Sequence, residues 1–308
     1  MAKIIIAGGT GWLGSAIIRY YLNAAHELVV LTRTVRPARD GVRYVRWDGC
    51  SLGDWYKELD GADTVINLSG ESINRRLTTA NKDRIWRSRI DTTMVIGEAI
   101  QQVLVPPKVW INASGISIYE SSDVVRNEGD EPQGEDFLAR VTQQWEQALR
   151  ARHTPNTRNV WLRISAVLFA TGGMLKPLVR LVRMGLGGRI GNGNQYVSWI
   201  HETDFVRVVD WIINHHDIYG VIHACSPNPV PNRELMKALR HALKMPLGLP
   251  NYTWATKIGG LLIGVDADLI LSGRRIVSHK LPAGGFVFDY PEINAAIRNL
   301  VVKSEAHK

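Results

Sequence analysis

The most constraining stretch of this chain is a set of spaced glycines that lies between a short apolar segment and an amphipathic one. The segment Ile4 to Ala7 is β-branched and too short for a helix, which is typical of a strand buried on both faces. Gly8, Gly11 and Gly14 follow at three-residue spacing, and residues 15–22 carry apolar side chains on one helical face. A strand, a glycine turn and a helix in this order predict a dinucleotide-binding site.

Each glycine of such a turn has its own role. One allows the tight turn, one lets the backbone approach a pyrophosphate, and one lets the helix pack against the strand. The helix N-terminus offers free N–H groups and a partial positive charge to the phosphates. An ordinary glycine-rich loop is the alternative, and the position directly after a strand disfavours it. The residues predicted to bind the cofactor here are Gly8, Thr10, Gly11, Trp12, Leu13 and Gly14.

The end of the second predicted strand bears on the choice of cofactor. Residues 26–32 form this strand, and Arg33 stands at its carboxyl end. In folds that prefer NAD an acidic residue there holds the ribose 2′-hydroxyl, whereas an arginine accommodates the 2′-phosphate of NADP. Arg36 and Arg39 lie nearby, and the first acidic residue after the strand is Asp40. The pattern favours NADP(H) over NAD, and a solvated surface arginine is the alternative.

The rest of the chain alternates strands and helices, which is typical of parallel sheets. We predict an α/β fold: a Rossmann-type, doubly wound parallel sheet with a smaller, mainly helical C-terminal region. The first domain spans 1–230, with a substrate loop near 171–200, and a small C-terminal domain spans 231–308. The further predicted strands are 42–47, 64–68, 109–114 and 160–164, and the predicted helices are 52–59, 78–103, 136–150, 205–214, 232–244, 254–265 and 292–301.

Several polar residues follow the predicted strands directly. Asp48 follows the third strand, in a position to read the adenine edge of the cofactor. Ser69, Gly70 and Glu71 follow the fourth strand, and the small residues there leave room for a ribose and a phosphate. Ser114 ends the fifth strand. Because ligands of open parallel sheets bind outside the carboxyl ends of the strands, we expect these residues to lie near the cofactor.

Composition narrows the class of protein and of partner. A chain of 308 residues with 45% hydrophobic residues can bury a large core. Two cysteines without CxxC spacing and no evident signal peptide predict a reducing, cytoplasmic location. The net charge of +8 is spread along the chain, which argues against nucleic acid, and the apolar run 258–265 is too short to span a membrane. We expect a monomer or homodimer that binds a small-molecule substrate.

Histidine spacing predicts no metal site. His201 has no partner at metal-ligand spacing, and His215 and His216 are adjacent at a helix end. We therefore interpret His201 as a structural histidine. We expect Thr203 or Asp204 to cap the helix that follows it.

Further motifs extend this pattern over essentially the whole chain. With them in register, the sequence resembles the atypical extended short-chain dehydrogenase/reductase family of YfcH-like (SulA-like) proteins. These proteins are often labelled NADP-dependent nucleoside-diphosphate-sugar epimerases. The motifs that carry the resemblance are GGTGWLG (8–14), LTR (31–33), VINLSGE (65–71), RSRIDTT (87–93), ASGISIY (113–119), FLARVTQQWE (137–146), LRISAVLFATGGML (162–175), GLGGRIGNGNQYVSWIHETD (185–204) and the tail from Gly273 through LPAGGF (281–286).

The resemblance implies a Rossmann domain, a bound NADP(H) and a small C-terminal region of unassigned role. It also implies roles for individual residues. Thr32 and Arg33 would hold the 2′-phosphate, Leu68 and Ser69 would line the ribose, Arg84 and Arg89 would bind phosphates, and Val167 would lie on the nicotinamide side.

The chemistry departs from the usual pattern of short-chain dehydrogenases, in which a Tyr-xxx-Lys pair lets the tyrosine exchange a proton near neutral pH. No Tyr-xxx-Lys occurs in this sequence. On the helix that should carry the pair, Leu138 stands at the tyrosine position and Thr142 at the lysine position. An unassisted tyrosine titrates at about pH 10. We expect Ser114 to polarise the substrate oxygen, and Tyr119 or a water to move the proton. The alternative is that Tyr119 is a packed aromatic residue beside the nicotinamide.

Two functions are consistent with these residues. One is an NADP-dependent oxidoreductase or epimerase that transfers a hydride on a nucleotide-linked sugar or another small carbonyl or carbinol compound. The other is a catalytically weak or inactive NADPH-binding regulator that acts through a protein partner. The missing Tyr-xxx-Lys pair favours the regulator, and Ser114 favours the enzyme. The polar loop 186–195 also favours the enzyme unless it is a plain surface turn, and its candidate substrate contacts are Arg189, Asn192, Asn194 and Gln195.

Overall fold

The computed structural model describes residues 1–22, 24–34, 36–38, 41–254, 256, 266 and 268–306. The strands, in chain order, are Lys3–Ala7 (β1), Glu27–Thr32 (β2), Val42–Arg46 (β3), Thr64–Asn67 (β4), Val109–Gly115 (β5), Ser122–Arg126 (β6), Arg158–Ile164 (β7), Ala166–Leu168 (β8), Tyr196–Val197 (β9), Trp199–His201 (β10), Gly220–Ala224 (β11), Val230–Pro231 (β12) and Arg274–Ile276 (β13). The helices are Trp12–Tyr21 (α1), Thr79–Gln102 (α2), Phe137–Arg150 (α3), Leu175–Arg183 (α4), Glu202–Asn214 (α5), Asn232–Ala242 (α6), Asp268–Leu271 (α7), Lys280–Ala283 (α8) and Ile293–Ala306 (α9).

Seven of these strands form one parallel sheet in the order β11-β7-β5-β4-β1-β2-β3. Strand β1 pairs with β2 on one side and with β4 on the other, so the chain order reverses at β1. In such sheets a ligand usually binds where the strand order reverses, which here is the crevice at the carboxyl ends of β1 and β4. The predicted Rossmann-type, doubly wound α/β fold is confirmed.

The two faces of β1 explain why its sequence is an unbroken apolar run. Ile4 and Ile6 pack in one buried cluster with side chains of α1 and α5, while Ile5 and Ala7 pack in a second cluster with α2. Successive side chains of a strand point to opposite faces, so a strand covered by helices on both sides must be apolar at every position.

Some predicted elements differ from the observed ones. The predicted helix 52–59 is a short 3₁₀ segment, Asp54–Leu59. Strand β7 begins at Arg158, two residues before the prediction, and the edge strand β11 was not predicted. The pairing of β6 with β13 joins Ser122 to Arg274, which are far apart in sequence. Local periodicity carries no information about such a pairing.

The predicted cap of α5 is wrong. His201 is the N-cap, and its Nδ1 accepts the backbone N–H of Thr203 at 3.0 Å. Asp204 lies within the helix and is fully buried, where its carboxylate accepts the N–H groups of Asp289 and Tyr290 at 2.8 and 2.9 Å. Asp204 therefore anchors the C-terminal segment instead of the helix start.

The C-terminal region packs on two parts of the molecule. Helices α6 and α9 share an apolar cluster with α4, whereas Leu281 and Phe286 join the cluster beside α5. The division of the chain at residue 230 stays a prediction, and most of the predicted helix 254–265 lies outside the described residues. In the described ranges no helix combines the length and the apolar character needed to cross a membrane.

His201 makes a pH-dependent contribution to stability. Burial, and then the charge of Lys303, lower the pKa of the His201 imidazole to about 4. Between that pH and about 6.5, the value of a free histidine, the unfolded chain binds more protons than the folded chain. The free energy of unfolding therefore falls as the pH is lowered through this range. We expect His201 to account for a loss of about 2 kcal/mol at pH 5, from about 1.4 kcal/mol per pH unit.

The matched control for this prediction is His201→Asn, because asparagine is a good N-cap and does not titrate. Urea denaturation of both proteins at pH 7.5 and pH 5 measures the two losses. We expect the wild type to lose about 2 kcal/mol more than the variant. Equal losses in the two proteins would show that His201 does not carry this dependence.

Candidate functional site

The glycine turn brings the end of β1 against the end of β4. Gly8 has a φ of +77°, and a Cβ atom there would lie 2.7 Å from the carbonyl carbon of Leu68. At Gly14 a Cβ atom would lie 2.8 Å from the carbonyl oxygen of Gly8. Both distances exclude a side chain. The backbone N–H of Gly11 donates to the carbonyl of Gly8 at 3.0 Å and closes the turn.

Helix α1 begins at this turn with its N-terminus toward the crevice. Its N-cap is Gly11, and no side chain caps it, so its first N–H groups remain available to a ligand. Thr10 and Trp12 are exposed, and Leu13 packs partly against the core. The indole of Trp12 contacts Gly172, where a Cβ atom would lie 2.6 Å from its Cε2. The turn therefore contacts the loop after β8, the strand that carries the buried Val167.

The end of β2 presents cations to solvent. Thr32 is buried, and its Oγ1 accepts the N–H of Thr34 at 3.3 Å. The side chains of Arg33 and Arg36 are exposed, and Arg39 lies outside the described residues. An exposed guanidinium at the carboxyl end of β2 has the charge and the donors that a phosphate needs.

Asp48 serves the turn after β3. Its carboxylate accepts the N–H groups of Cys50 and Ser51, each at 2.9 Å, and also the hydroxyl of Ser51. These hydrogen bonds, that of the Ser51 hydroxyl first, hold the pKa of Asp48 well below its usual range. The Asp48 carboxylate is therefore engaged by its own loop, which disfavours the predicted contact with the adenine edge.

The end of β4 carries an unsatisfied hydroxyl. The N–H of Ser69 donates to Oδ1 of Asn67 at 3.1 Å, and Asn67 is held by Asn112 at 2.8 Å. Among the described residues the buried Oγ of Ser69 has no hydrogen-bond partner. Since buried polar atoms are nearly always paired, this hydroxyl fits a ligand with a polar group, such as a ribose.

Arg89 of α2 supplies a partly buried cation beside the same strand end. Its Nη1 donates to the carbonyls of Glu71 and Ile85 at 3.2 and 3.0 Å, and its guanidinium lies 5.3 Å from the ring of Trp145. Burial lowers the pKa of Arg89 to about 10, so it remains charged at neutral pH.

The partners of this cation are neutral groups. The carboxylate of Glu71 pairs with Arg75 instead, at 3.0 Å, and in the described ranges no carboxylate lies within salt-bridge distance of Arg89. At Gly70 a Cβ atom would lie 3.3 Å from Cζ of Arg89, so the absence of a side chain lets the guanidinium lie close to the backbone there. Arg84 is exposed, more than one helical turn earlier on α2. This arrangement suits an anionic ligand such as a pyrophosphate.

Ser114 and Tyr119 lie together in a buried polar network. The Oγ of Ser114 donates to Glu146 at 2.7 Å, and Arg163 holds both oxygens of Glu146 at 2.7 and 2.8 Å. The hydroxyl of Tyr119 accepts from Arg163 at 2.6 Å and donates to the carbonyl of Asn127 at 2.9 Å. All four ionic and hydroxyl side chains are at most 4% exposed. Both predicted catalytic hydroxyls therefore face buried partners.

The proton of Tyr119 is held firmly. Burial raises its pKa to about 12, even though the charge of Arg163 acts in the opposite direction. The Nε2 of His223 also lies 3.1 Å from the hydroxyl, and its Nδ1 lies 2.9 Å from the carbonyl of Val277. At neutral pH Tyr119 is therefore a protonated, buried phenol.

Sequence reasoning missed Glu146, Arg163 and His223. Glu146 lies between Gln144 and Gln147 on the predicted helix, where nothing in the sequence sets it apart. Arg163 and His223 each lie among the apolar residues of a strand, where a charged or polar side chain is rare unless it is paired. That isolation was the available signal. It did not identify the partners, because they come from α3, β7 and β11.

The polar side chains of the loop 186–195 bind within the protein. Arg189 donates to the carbonyl of Gly191 at 2.8 Å, and Asn192 accepts the N–H of Asn194 at 2.9 Å. Nε2 of Gln195 donates to a loop carbonyl at 3.0 Å. These contacts favour the surface-turn interpretation. Across the described residues no group of three or more His, Cys, Asp or Glu side chains is arranged to hold a metal ion.

Comparisons with known proteins agree with this architecture. A family described as the NAD dependent epimerase/dehydratase family matches residues 4–223, and a domain of unknown function (DUF1731) matches residues 254–300. The epimerase family protein SSP1921 of Staphylococcus saprophyticus is 32% identical over 306 residues, which cover 98% of this chain and 100% of that protein.

Two solved structures share the fold at comparable identity. The human epimerase family protein SDR39U1 (isoform 2), crystallised with NADPH, has a TM-score of 0.87 and 26% identity, covering 97% of this chain and 99% of that one. The nucleoside-diphosphate sugar epimerase from Corynebacterium glutamicum has a TM-score of 0.78 and 27% identity, covering 97% of this chain and 58% of that one. Both likenesses extend over nearly all of this chain.

The buried ion pair predicts a large cost when its acid is removed. Glu146→Gln leaves the Arg163 guanidinium buried without a counter-charge, and breaking such a pair typically costs about 3–5 kcal/mol. The matched control is Glu135→Gln, because Glu135 is exposed. Urea denaturation at pH 7.5 should show the loss in the first variant only. A loss below about 1 kcal/mol in Glu146→Gln would mean that water reaches the pair.

Proposed function

This chain belongs to the NAD-dependent epimerase/dehydratase family, and we propose that it binds NADP(H) in the crevice at the carboxyl ends of β1 and β4. The observation that carries the proposal is the unsatisfied Oγ of Ser69 beside the Arg89 cation, at the end of the same strand. The first N–H groups of α1 would bind the pyrophosphate, with Arg89 as its second partner. Ser69 would bind a ribose hydroxyl.

We propose NADP(H) over NAD because of the charge at the end of β2. The exposed guanidinium of Arg33, with Arg36 nearby, would bind the 2′-phosphate, and Thr32 would fix the backbone there. The human relative, which is 26% identical over nearly the whole chain, was crystallised with NADPH, and this supports the assignment.

For the reaction we propose hydride transfer on a nucleotide-linked sugar or another small carbonyl or carbinol compound. When bound, the nicotinamide would supply a hydride to a carbonyl carbon or accept one from a carbinol carbon. Val167 would lie on its side of the crevice. A water would move the proton in place of Tyr119, because the Tyr119 hydroxyl is buried and raised in pKa to about 12. Ser114 and Tyr119 would then act by holding Glu146 and Arg163 in place, and through them the end of β5.

The second candidate is a cofactor-binding regulator without turnover. The buried hydroxyls of Ser114 and Tyr119 favour the regulator. The positions of the usual tyrosine and lysine carry Leu138 and Thr142, and neither side chain titrates. Oxidation of NADPH by carbonyl compounds, reduction of NADP+ by carbinol compounds and formation of the epimer from nucleotide sugars together separate the two. Turnover by the wild type supports the enzyme. Tight NADPH binding without turnover on any of these compounds supports the regulator.

Arg33 predicts the selectivity between the two cofactors. In Arg33→Ala we expect the NADPH affinity to fall roughly tenfold to hundredfold, because one charge-assisted contact to the 2′-phosphate is lost. The NADH affinity should stay unchanged, since NADH lacks that phosphate. Titration by nicotinamide fluorescence measures both. An unchanged ratio of the two affinities would contradict the assignment of Arg33.

For Arg89 we expect equal effects on the two cofactors, because both contain the pyrophosphate. In Arg89→Gln the affinities for NADPH and NADH should fall by the same factor, about tenfold or more. Arg89→Lys retains the charge and should recover part of the loss. The matched control is Arg87→Gln, an exposed position on the same helix that pairs with Asp83. A loss of affinity for NADPH alone would show that Arg89 binds the 2′-phosphate and not the pyrophosphate.

A further inference from the structure

Two hydroxyls meet where the Tyr-xxx-Lys pair is missing. Thr142 occupies the lysine position on α3, and its Oγ1 lies 2.9 Å from the Oγ of Ser117 in the 3₁₀ turn after β5. Leu138, at the tyrosine position, is apolar. The two side chains therefore form a polar contact at the carboxyl end of β5, between the sheet and α3.

The hydrogen atoms of this pair can be assigned from their partners. The Oγ1 of Thr142 also lies 2.7 Å from the carbonyl of Leu138, which can only accept. Thr142 therefore spends its single hydrogen on that carbonyl, and its oxygen accepts from Ser117. The oxygen of Ser117 keeps two lone pairs, and it can accept a hydrogen bond from a further hydroxyl.

Access distinguishes Ser117 from the two hydroxyls predicted to be catalytic. Ser114, Tyr119 and Thr142 are buried, whereas Ser117 is half-buried. Gly115 lies beside the pair, and a Cβ atom there would lie 3.1 Å from Oγ of Ser117 and 3.9 Å from Oγ1 of Thr142. The absence of a side chain at Gly115 thus leaves space next to both oxygens.

We infer that Ser117 and Thr142 form a neutral site for a carbinol hydroxyl, which donates to the Ser117 oxygen at the place left by the Tyr-xxx-Lys pair. Two ligands carry such a group next to this strand end. One is the nicotinamide-side ribose of the cofactor, and the other is the sugar of a nucleotide-linked substrate. Both sources rest on the proposed function, the first on cofactor binding and the second on the substrate class.

The test measures the affinities for NADPH and for UDP-glucose in the wild type and in each of four variants. NADPH is titrated by nicotinamide fluorescence, and UDP-glucose is titrated by calorimetry with and without saturating NADPH. Ser117→Ala and Thr142→Val remove one hydroxyl each, Thr142→Ser retains it, and Ser304→Ala is a distant control on α9. Thermal melting verifies that each variant is folded.

We expect Ser117→Ala and Thr142→Val to weaken one of the two ligands about threefold to tenfold, as for a single neutral hydrogen bond. Thr142→Ser and Ser304→Ala should match the wild type. A loss for NADPH identifies the ribose as the ligand, and a loss confined to UDP-glucose identifies the sugar. Unchanged affinities in both hydroxyl-deletion variants overturn the inference alone. A wild type that binds UDP-glucose but not NADPH overturns the proposed function, and one that binds neither overturns both.

Discussion

The arrangement of the crevice depends on a contact that only glycine permits. The backbone of Gly8 lies so close to Leu68 that a Cβ atom would overlap its carbonyl carbon. This approach brings the turn after β1 against the end of β4. As a result the turn that leads into α1 lies against Leu68 and Ser69, and the next residue, Gly70, lies against the guanidinium of Arg89. A side chain at Gly8 would separate the donors that a pyrophosphate and a ribose require.

A second constraint comes from the buried ion pair of Glu146 and Arg163. Charges in a low-dielectric interior need every available partner, and this pair takes the hydroxyls of Ser114 and Tyr119. The effect of burial on Tyr119 exceeds the opposing effect of the Arg163 charge, so its pKa rises. Ser117 and Thr142, which meet at the end of the same strand, carry neutral hydroxyls. This is why the proposed chemistry relies on positioning and on water.

Local sequence patterns were sufficient for the parts of the fold that depend on neighbouring residues. The β-branched run before Gly8 predicted a buried strand, and the glycine spacing predicted the turn that the structure contains. The patterns could not predict the direction of Tyr119, because its partner Arg163 is on another strand. The cap of α5 was missed for a different reason. His201 is an uncommon N-cap, and the better capping residue Asp204 is used by a distant segment.

Hydrogen–deuterium exchange with and without NADPH tests the location of the cofactor most directly. Ligand binding slows exchange at the amides that it contacts or orders. We expect slower exchange at residues 8–15, 68–71 and 85–89, and little change in α9, which packs with α4 and α6. Tight NADPH binding without protection of the first two segments would contradict the assignment of the crevice.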